Sequence, residues 1–154
     1  MLSYDLVIIG FGVIGTEALD YINKIKFKKN TKIKIAIIDK DKKNIPGGVG
    51  YSINKSKYGF FNNPLRLSHP RFIRWISKPV NFKKCCKFLS DNPSYNLNNW
   101  LNKNVKISNK NFLEIYLPRL FYSFYLNEKI LNVIKENNMS LKVNFFKGDV
   151  SNLL

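Results

Sequence analysis

Apolar residues at the start of the chain form a run, then a helical pattern, then a second run. Residues 4–9 end in four consecutive aliphatic side chains, a pattern typical of a parallel strand buried on both faces. Residues 16–27 place apolar side chains every three or four positions, which predicts a helix. Residues 32–38 are again apolar and predict a second strand, which ends at Asp39. The pattern therefore predicts a strand–helix–strand unit.

The remainder of the chain combines polar stretches with further apolar patterns. Residues 40–70 are polar and rich in turn residues. Residues 78–107 are rich in Asn and Lys and predict a polar insertion with one helix around 82–89. Beyond it, apolar spacing predicts a long helix over 118–137 and a third strand over 141–146. The sequence thus predicts an α/β protein with a short parallel sheet and a helical insertion.

The composition excludes disorder and argues against a membrane protein. Of the 154 residues, 45% are hydrophobic, which is enough to form a core. The longest uncharged apolar run, residues 6–16, is far shorter than the roughly 18 positions of a membrane-spanning helix. The first residues also lack the basic start of a secretory signal. We therefore expect a soluble cytoplasmic protein.

The net charge of +16 invites a nucleic-acid interpretation, but its distribution does not favour one. Of the 26 cationic side chains, 22 are Lys, and they are spread through nearly every segment. A dedicated nucleic-acid surface more often concentrates Arg and Lys on one element. We expect solvated surface lysines and no specific nucleic-acid partner.

Residues that commonly bind metals are scarce. Cys85 and Cys86 are adjacent, and His69 is the only histidine. Two neighbouring cysteines without a second pair make neither a zinc site nor a disulfide framework. We expect two free thiols and no metal site.

The motif Gly10-x-Gly12-x-x-Gly15 lies between the first predicted strand and the first predicted helix. In dinucleotide-binding proteins the first glycine allows a tight turn, the second lets the backbone approach a pyrophosphate, and the third lets helix and strand pack closely. The helix N-terminus then offers N–H groups and a positive dipole end to the phosphates. Asp39, at the end of the next strand, is placed to accept hydrogen bonds from a ribose. The alternative is an ordinary glycine-rich turn.

The glycine triplet occurs in NAD-binding and FAD-binding proteins alike, and further segments of the chain help to distinguish the two cofactors. They resemble the flavoprotein family that groups FAD-dependent urate hydroxylases with amino-acid (aspartate) N-monooxygenases. In family order, 45–52 resembles "GxGxAYS", 60–64 "LLNxP", 67–68 "MS", 71–76 "xFxxWL" and 118–126 "PRxxYGxYL", with Ser123 in place of Gly. The resemblance extends over residues 4–150.

The resemblance implies an FAD site and assigns residues to it. The residues implied are Gly10, Gly12, Ile14 and Gly15 for the pyrophosphate, Asp39 and Lys40 for the adenosine ribose, and the backbone of Val150 for adenine. The last assignment has a physical rationale, because a strand end presents free backbone N–H and C=O groups to a flat base.

Two further residues are candidates with open alternatives. Asn62 either lines the cofactor or holds its own turn. Arg119 lies at a helix start, where a cation is unfavourable for the helix dipole. It therefore points either to an anionic partner or to a surface salt bridge.

By the same resemblance the fold is Rossmann-like, with strand order about 3-2-1. Residues 1–154 then form the N-terminal part of one FAD/NAD(P)-binding domain. The first strand lacks a neighbour on one side in that order, and open apolar edges promote aggregation. We therefore expect an incomplete flavoprotein, inactive alone, or a second polypeptide that completes the sheet.

The function implied is the FAD-binding portion of a flavin-dependent oxidoreductase of monooxygenase type, with NAD(P)H as a co-substrate. The flavin itself carries the hydride and activates oxygen in such enzymes, so no catalytic residue is assigned. Two alternatives stay open. One is an NAD(P)-binding dehydrogenase domain with Asp39 on the ribose. The other is a non-catalytic remnant or basic interaction module.

Overall fold

Three parallel strands form the sheet, in the order β1-β2-β3. The computed structural model describes residues 3–28, 30–41, 45–53, 59–92, 97–104, 111–135 and 140–151. The strands are β1 (Leu6–Ile9), β2 (Ile33–Asp39) and β3 (Leu141–Lys147). Both β1 and β3 run parallel to the central strand β2. The predicted α/β class and the predicted strand order are confirmed.

Helices connect the strands and cover the sheet. They are α1 (Val13–Asn23), α2 (Gly48–Tyr51), α3 (Pro70–Ile76), α4 (Pro79–Asp91), α5 (Asn98–Asn104) and α6 (Arg119–Lys135). The first helix begins at Val13, before its predicted start, and ends at Asn23, before its predicted end. Across the ranges given above, no helix combines the length and the apolar character needed to cross a membrane.

The expectation that β1 is buried on both faces is wrong. Leu6, Val7 and Ile9 are 39%, 48% and 54% exposed, and only Ile8 packs against the core beside the sheet. The physical reason is the position of β1 within the sheet. Among the described residues β1 pairs with β2 alone, so it is an edge strand, and a run of aliphatic residues looks the same in an edge strand as in a central one.

Two apolar clusters make up the core. One lies between the sheet and helices α1 and α6, and its fully buried members include Phe11, Leu19, Ile35 and Ile37. The other is a helical layer built from α3, α4, α5 and α6, and it is rich in aromatic rings. Two helices, α4 and α5, lie within the predicted polar insertion 78–107, where one was predicted. They contribute Cys85, Leu89 and Leu101 to the helical layer.

A charge cluster centred on the buried side chains of Asp20 and Lys129 joins α1 to α3 and α6. The carboxylate of Asp20 accepts from Lys24 at 2.5 Å, from Lys129 at 3.2 Å and from Arg71 at 3.4 Å. Burial raises the pKa of Asp20, but the hydrogen bonds and positive charges of Lys24 and Lys129 outweigh burial and lower it. Asp20 therefore stabilises the fold above the ordinary carboxylate pKa, and this contribution is lost as pH falls through the lowered pKa.

Asp20→Ala is expected to lower the free energy of unfolding by about 2 kcal/mol at neutral pH, because Lys129, only 9% exposed, loses one of its two carboxylate partners. Urea denaturation measures the change. Asp91→Ala is the matched control, since its exposed pair with Lys87 contributes at most about 0.5 kcal/mol. The difference between wild type and Asp20→Ala should shrink in acid. Equal losses for both variants would contradict a buried, stabilising cluster.

Candidate nucleotide-binding site

The chain turns sharply between β1 and α1. Gly10 adopts a φ of +81°, a left-handed conformation that favours glycine, and its N–H donates to the Ile38 carbonyl at 2.8 Å. The Phe11 side chain is fully buried and contacts the Phe145 ring edge-on at 5.6 Å. The turn is therefore anchored to the sheet by one backbone hydrogen bond and one aromatic side chain.

Gly12 and Gly15 have opposite surroundings. A Cβ atom on Gly12 would meet nothing within 4 Å, so this residue borders open space just before α1. A Cβ atom on Gly15 would lie 2.5 Å from the Gly10 carbonyl oxygen and 3.2 Å from the Phe11 ring. Gly15 thus serves close packing of helix on turn, whereas Gly12 leaves room for a ligand. Ile14, between them in the first turn of α1, is 85% exposed.

Asp39 ends β2 directly beside the glycine turn. Its Oδ2 accepts a hydrogen bond from the Phe11 N–H at 2.7 Å, and its Oδ1 accepts from the Asp41 N–H at 3.0 Å. A carboxylate has about four acceptor positions, so these two bonds leave capacity for ribose hydroxyls. The carboxylate therefore orders the turn and still faces the neighbouring cavity.

We call this first recess the strand-end cavity, because it lies where the three parallel strands end. It has a volume of about 310 Å³ and brings together four of the predicted site residues: Gly10, Asp39, Lys40 and Val150. Lys40 forms an exposed ion pair with Asp149 at 2.8 Å, and the hydrogen bond and charge of Asp149 raise the pKa of Lys40. Ligands of open α/β sheets bind at this carboxyl end of the strands.

A second recess, which we call the Arg119 cavity, has a volume of about 270 Å³. Its lining includes Val13, in the first turn of α1. The two remaining candidate residues that lie outside the glycine turn, Asn62 and Arg119, also line this cavity. Arg119 donates to the Phe60 carbonyl at 2.9 Å and to the Asn62 side-chain oxygen at 3.4 Å. Its guanidinium lies 5.8 Å from the centre of the Tyr51 ring. In the part of the chain that the structure describes, no carboxylate forms an ion pair with Arg119.

The structure also adds residues that sequence reasoning did not place in the site. Gly47 and Gly48, with φ of +105° and +64°, pack directly on the glycine turn. The Gly47 N–H donates to the Phe11 carbonyl at 3.2 Å, and a Cβ atom on Gly48 would lie 3.2 Å from the Gly12 Cα. Gly48 and Val49 line the strand-end cavity. In the sequence, the two adjacent glycines after Pro46 were the feature that could have indicated a role in the site.

A parallel sheet whose first strand passes through a glycine turn into a helix, with an acid at the end of the second strand, defines a dinucleotide-binding domain of Rossmann type. The comparison with protein families agrees. The family model described as FAD-NAD(P)-binding matches residues 7–154, and the chain belongs to this family. The match supports binding of a flavin or nicotinamide nucleotide. No curated protein matches the chain.

Proposed function

We propose that the chain binds FAD across the glycine turn and forms the FAD-binding portion of a flavin-dependent oxidoreductase of monooxygenase type. The observation that carries the proposal is the pair of cavities that meet this turn. The strand-end cavity includes Gly10, and the Arg119 cavity includes Val13, just after Gly12. FAD has two bulky halves joined by a pyrophosphate, which is the ligand shape that two cavities linked by a phosphate-binding turn would accept.

The proposed adenosine half lies in the strand-end cavity. Asp39 has free acceptor capacity for the ribose, Lys40 lies beside it, and the backbone at Val150 offers polar groups to adenine. These residues support the placement of the adenosine half in this cavity.

The pyrophosphate is proposed to lie in front of Gly12, where a side chain would otherwise fill the space. The first N–H groups of an α-helix have no partner within the helix, so those of Val13, Ile14 and Gly15 are available to phosphate oxygens. Gly15 takes part through its backbone alone, since its Cα is packed against the turn. The positive dipole end of α1 adds a favourable field for the phosphates.

The other half of FAD is proposed to approach the Arg119 cavity. Arg119 provides a fixed positive charge there, and Asn62 holds the guanidinium in place while also lining the cavity. When bound, FAD supplies hydride acceptance and oxygen activation. The described residues bind and orient the cofactor, and the motif resemblance to N-monooxygenases and urate hydroxylases supports the monooxygenase assignment.

A second candidate, an NAD(P)-binding domain, is supported by the same Asp39. Asp39 ends the second strand with acceptor capacity to spare, and an acid at this position hydrogen-bonds the ribose 2′-OH of NAD in Rossmann domains. The two candidates share the adenosine site and differ in the group beyond the pyrophosphate.

A titration with FAD, FMN and riboflavin, followed by quenching of flavin fluorescence, tests the proposal. We expect FAD to bind most tightly, because FMN and riboflavin lack the adenosine half. Asp39→Asn should weaken FAD binding by about 1–3 kcal/mol and leave FMN binding nearly unchanged. Asp91→Asn, on the exposed end of α4, is the control and should change neither. Equal affinity for FMN and FAD would sink the adenosine assignment, and tighter binding of NADH than of FAD would favour the second candidate.

A further inference from the structure

A third cavity lies between helices α1, α3 and α6, and we call it the interhelical cavity. Its volume is about 280 Å³, and its lining includes Lys24, Arg71, Arg74, Trp75, Lys78 and Tyr125. The candidate residues of the nucleotide site line the other two cavities or the glycine turn, and none of them lines this one. The cavity therefore needs its own explanation.

The lining of the interhelical cavity carries a surplus of positive charge. Five cationic side chains and only two carboxylates, Asp20 and Glu128, contribute to it. Lys24, Arg71 and Lys129 all contact Asp20, so one negative charge serves three cations, although Lys129 also pairs with Glu17. With Glu17 included, the surplus is about two positive charges, which a doubly charged anion would balance.

Arg74 and Lys78 are the cations of this lining for which the described residues offer no ion pair. Within the described ranges, neither side chain has a carboxylate partner. Arg74 lies on α3 and Lys78 directly precedes α4, and both line the cavity. An arginine and a lysine in the lining of a recess provide the donors that phosphate oxygens use most often.

A buried hydroxyl group points independently to a ligand. Tyr125 is only 4% exposed, and its hydroxyl oxygen has no hydrogen-bond partner among the described residues. Buried tyrosine hydroxyl groups usually find a partner. The nearby Trp75 cannot fill this role, because its indole N–H donates to Glu128 at 3.0 Å. A ligand oxygen in the cavity would accept from the Tyr125 hydroxyl.

We propose that the interhelical cavity binds a small phosphate monoester. A phosphate monoester carries close to two negative charges at neutral pH and three strong acceptor oxygens, matching the charge surplus and the donors of Arg74, Lys78 and Tyr125. The rings of Trp75 and Tyr125, 5.7 Å apart, offer an apolar surface for the organic part. The volume lies just below the usual range for drug-sized ligands, so the ligand is smaller than a dinucleotide.

Isothermal titration calorimetry with phenyl phosphate, at about 150 mM salt to screen surface charges, tests this site. We expect saturable binding that Tyr125→Phe or Arg74→Gln each weaken about tenfold. The matched controls are Tyr116→Phe, a half-exposed tyrosine elsewhere, and Lys83→Gln, an exposed lysine on α4, and both should bind as wild type does. Tyr125→Phe keeps the aromatic ring, so packing is preserved.

Three results would overturn the proposal. Absence of saturable binding would exclude the site, and an equal loss in Lys83→Gln would assign any binding to the generally basic surface. Tighter binding of succinate than of phenyl phosphate would replace the phosphate ligand with a dicarboxylate. The FAD titration separates this site from the proposed function, since Arg74→Gln should leave FAD affinity unchanged whether or not FAD proves to be the cofactor.

Discussion

Gly12→Val is expected to abolish dinucleotide binding while the fold stays intact. A Cβ atom at this position meets nothing within 4 Å. The backbone conformation of Gly12, with a φ of −73°, is one that any residue can adopt. The two methyl groups of valine would occupy the space in front of α1 that the proposed pyrophosphate needs. We expect FAD affinity to fall by at least about 100-fold, which corresponds to roughly 2.7 kcal/mol. Fluorescence titration measures the affinity, and thermal unfolding confirms the fold.

Gly50→Val is the matched control for this prediction. A Cβ atom on Gly50 also meets nothing within 4 Å, but this glycine lies in α2 and lines neither cavity of the proposed site. It should bind FAD with an affinity close to that of wild type. If Gly12→Val bound FAD equally well, the glycine turn would not be the phosphate site, and the proposed function would lose its central element.

Gly15→Val should have the opposite outcome: a destabilised fold. A Cβ atom there would lie 2.5 Å from the Gly10 carbonyl oxygen, which is backbone and cannot move aside like a flexible side chain. The helix must shift away from the turn, and overpacking of this kind costs about 3 kcal/mol. Urea denaturation should show the loss in Gly15→Val and little change in Gly12→Val. Unchanged stability in Gly15→Val would mean that helix and turn are less closely packed than the structure shows.

The strands were predictable because their signal is local. The aliphatic runs before Gly10 and Asp39 identify β1 and β2 from consecutive residues alone. The boundaries of α1 were harder to predict from the sequence. Its first turn, with the 85% exposed Ile14, overlaps the glycine motif, and the apolar Ile25 lies beyond the end of the helix and is 41% exposed. Spacing therefore predicted the helix but placed both of its ends too late in the chain.

Some residues of the nucleotide site could be predicted from the sequence, and others could not. The glycine triplet and Asp39 form a short, ordered pattern, so their proximity could be anticipated from the strand–helix–strand unit. Arg119 and Asn62 are 57 positions apart, and no periodicity relates them. The edge position of β1 followed only from the strand order that the family resemblance implies, because the aliphatic run itself is the same in an edge strand and a central one. Residues brought together only by tertiary packing carry no local signal.

The unequal connections within the sheet have an entropic consequence. Leu6 pairs with Ile35, 29 positions later, whereas Ile33 pairs with Leu141, 108 positions later. Loop-closure entropy grows only with the logarithm of length, so the longer connection costs only about 1 kcal/mol more. Roughly twenty further residues in it would add about 0.2 kcal/mol. The sheet can therefore accommodate a helical layer of variable size between its second and third strands with little loss of stability.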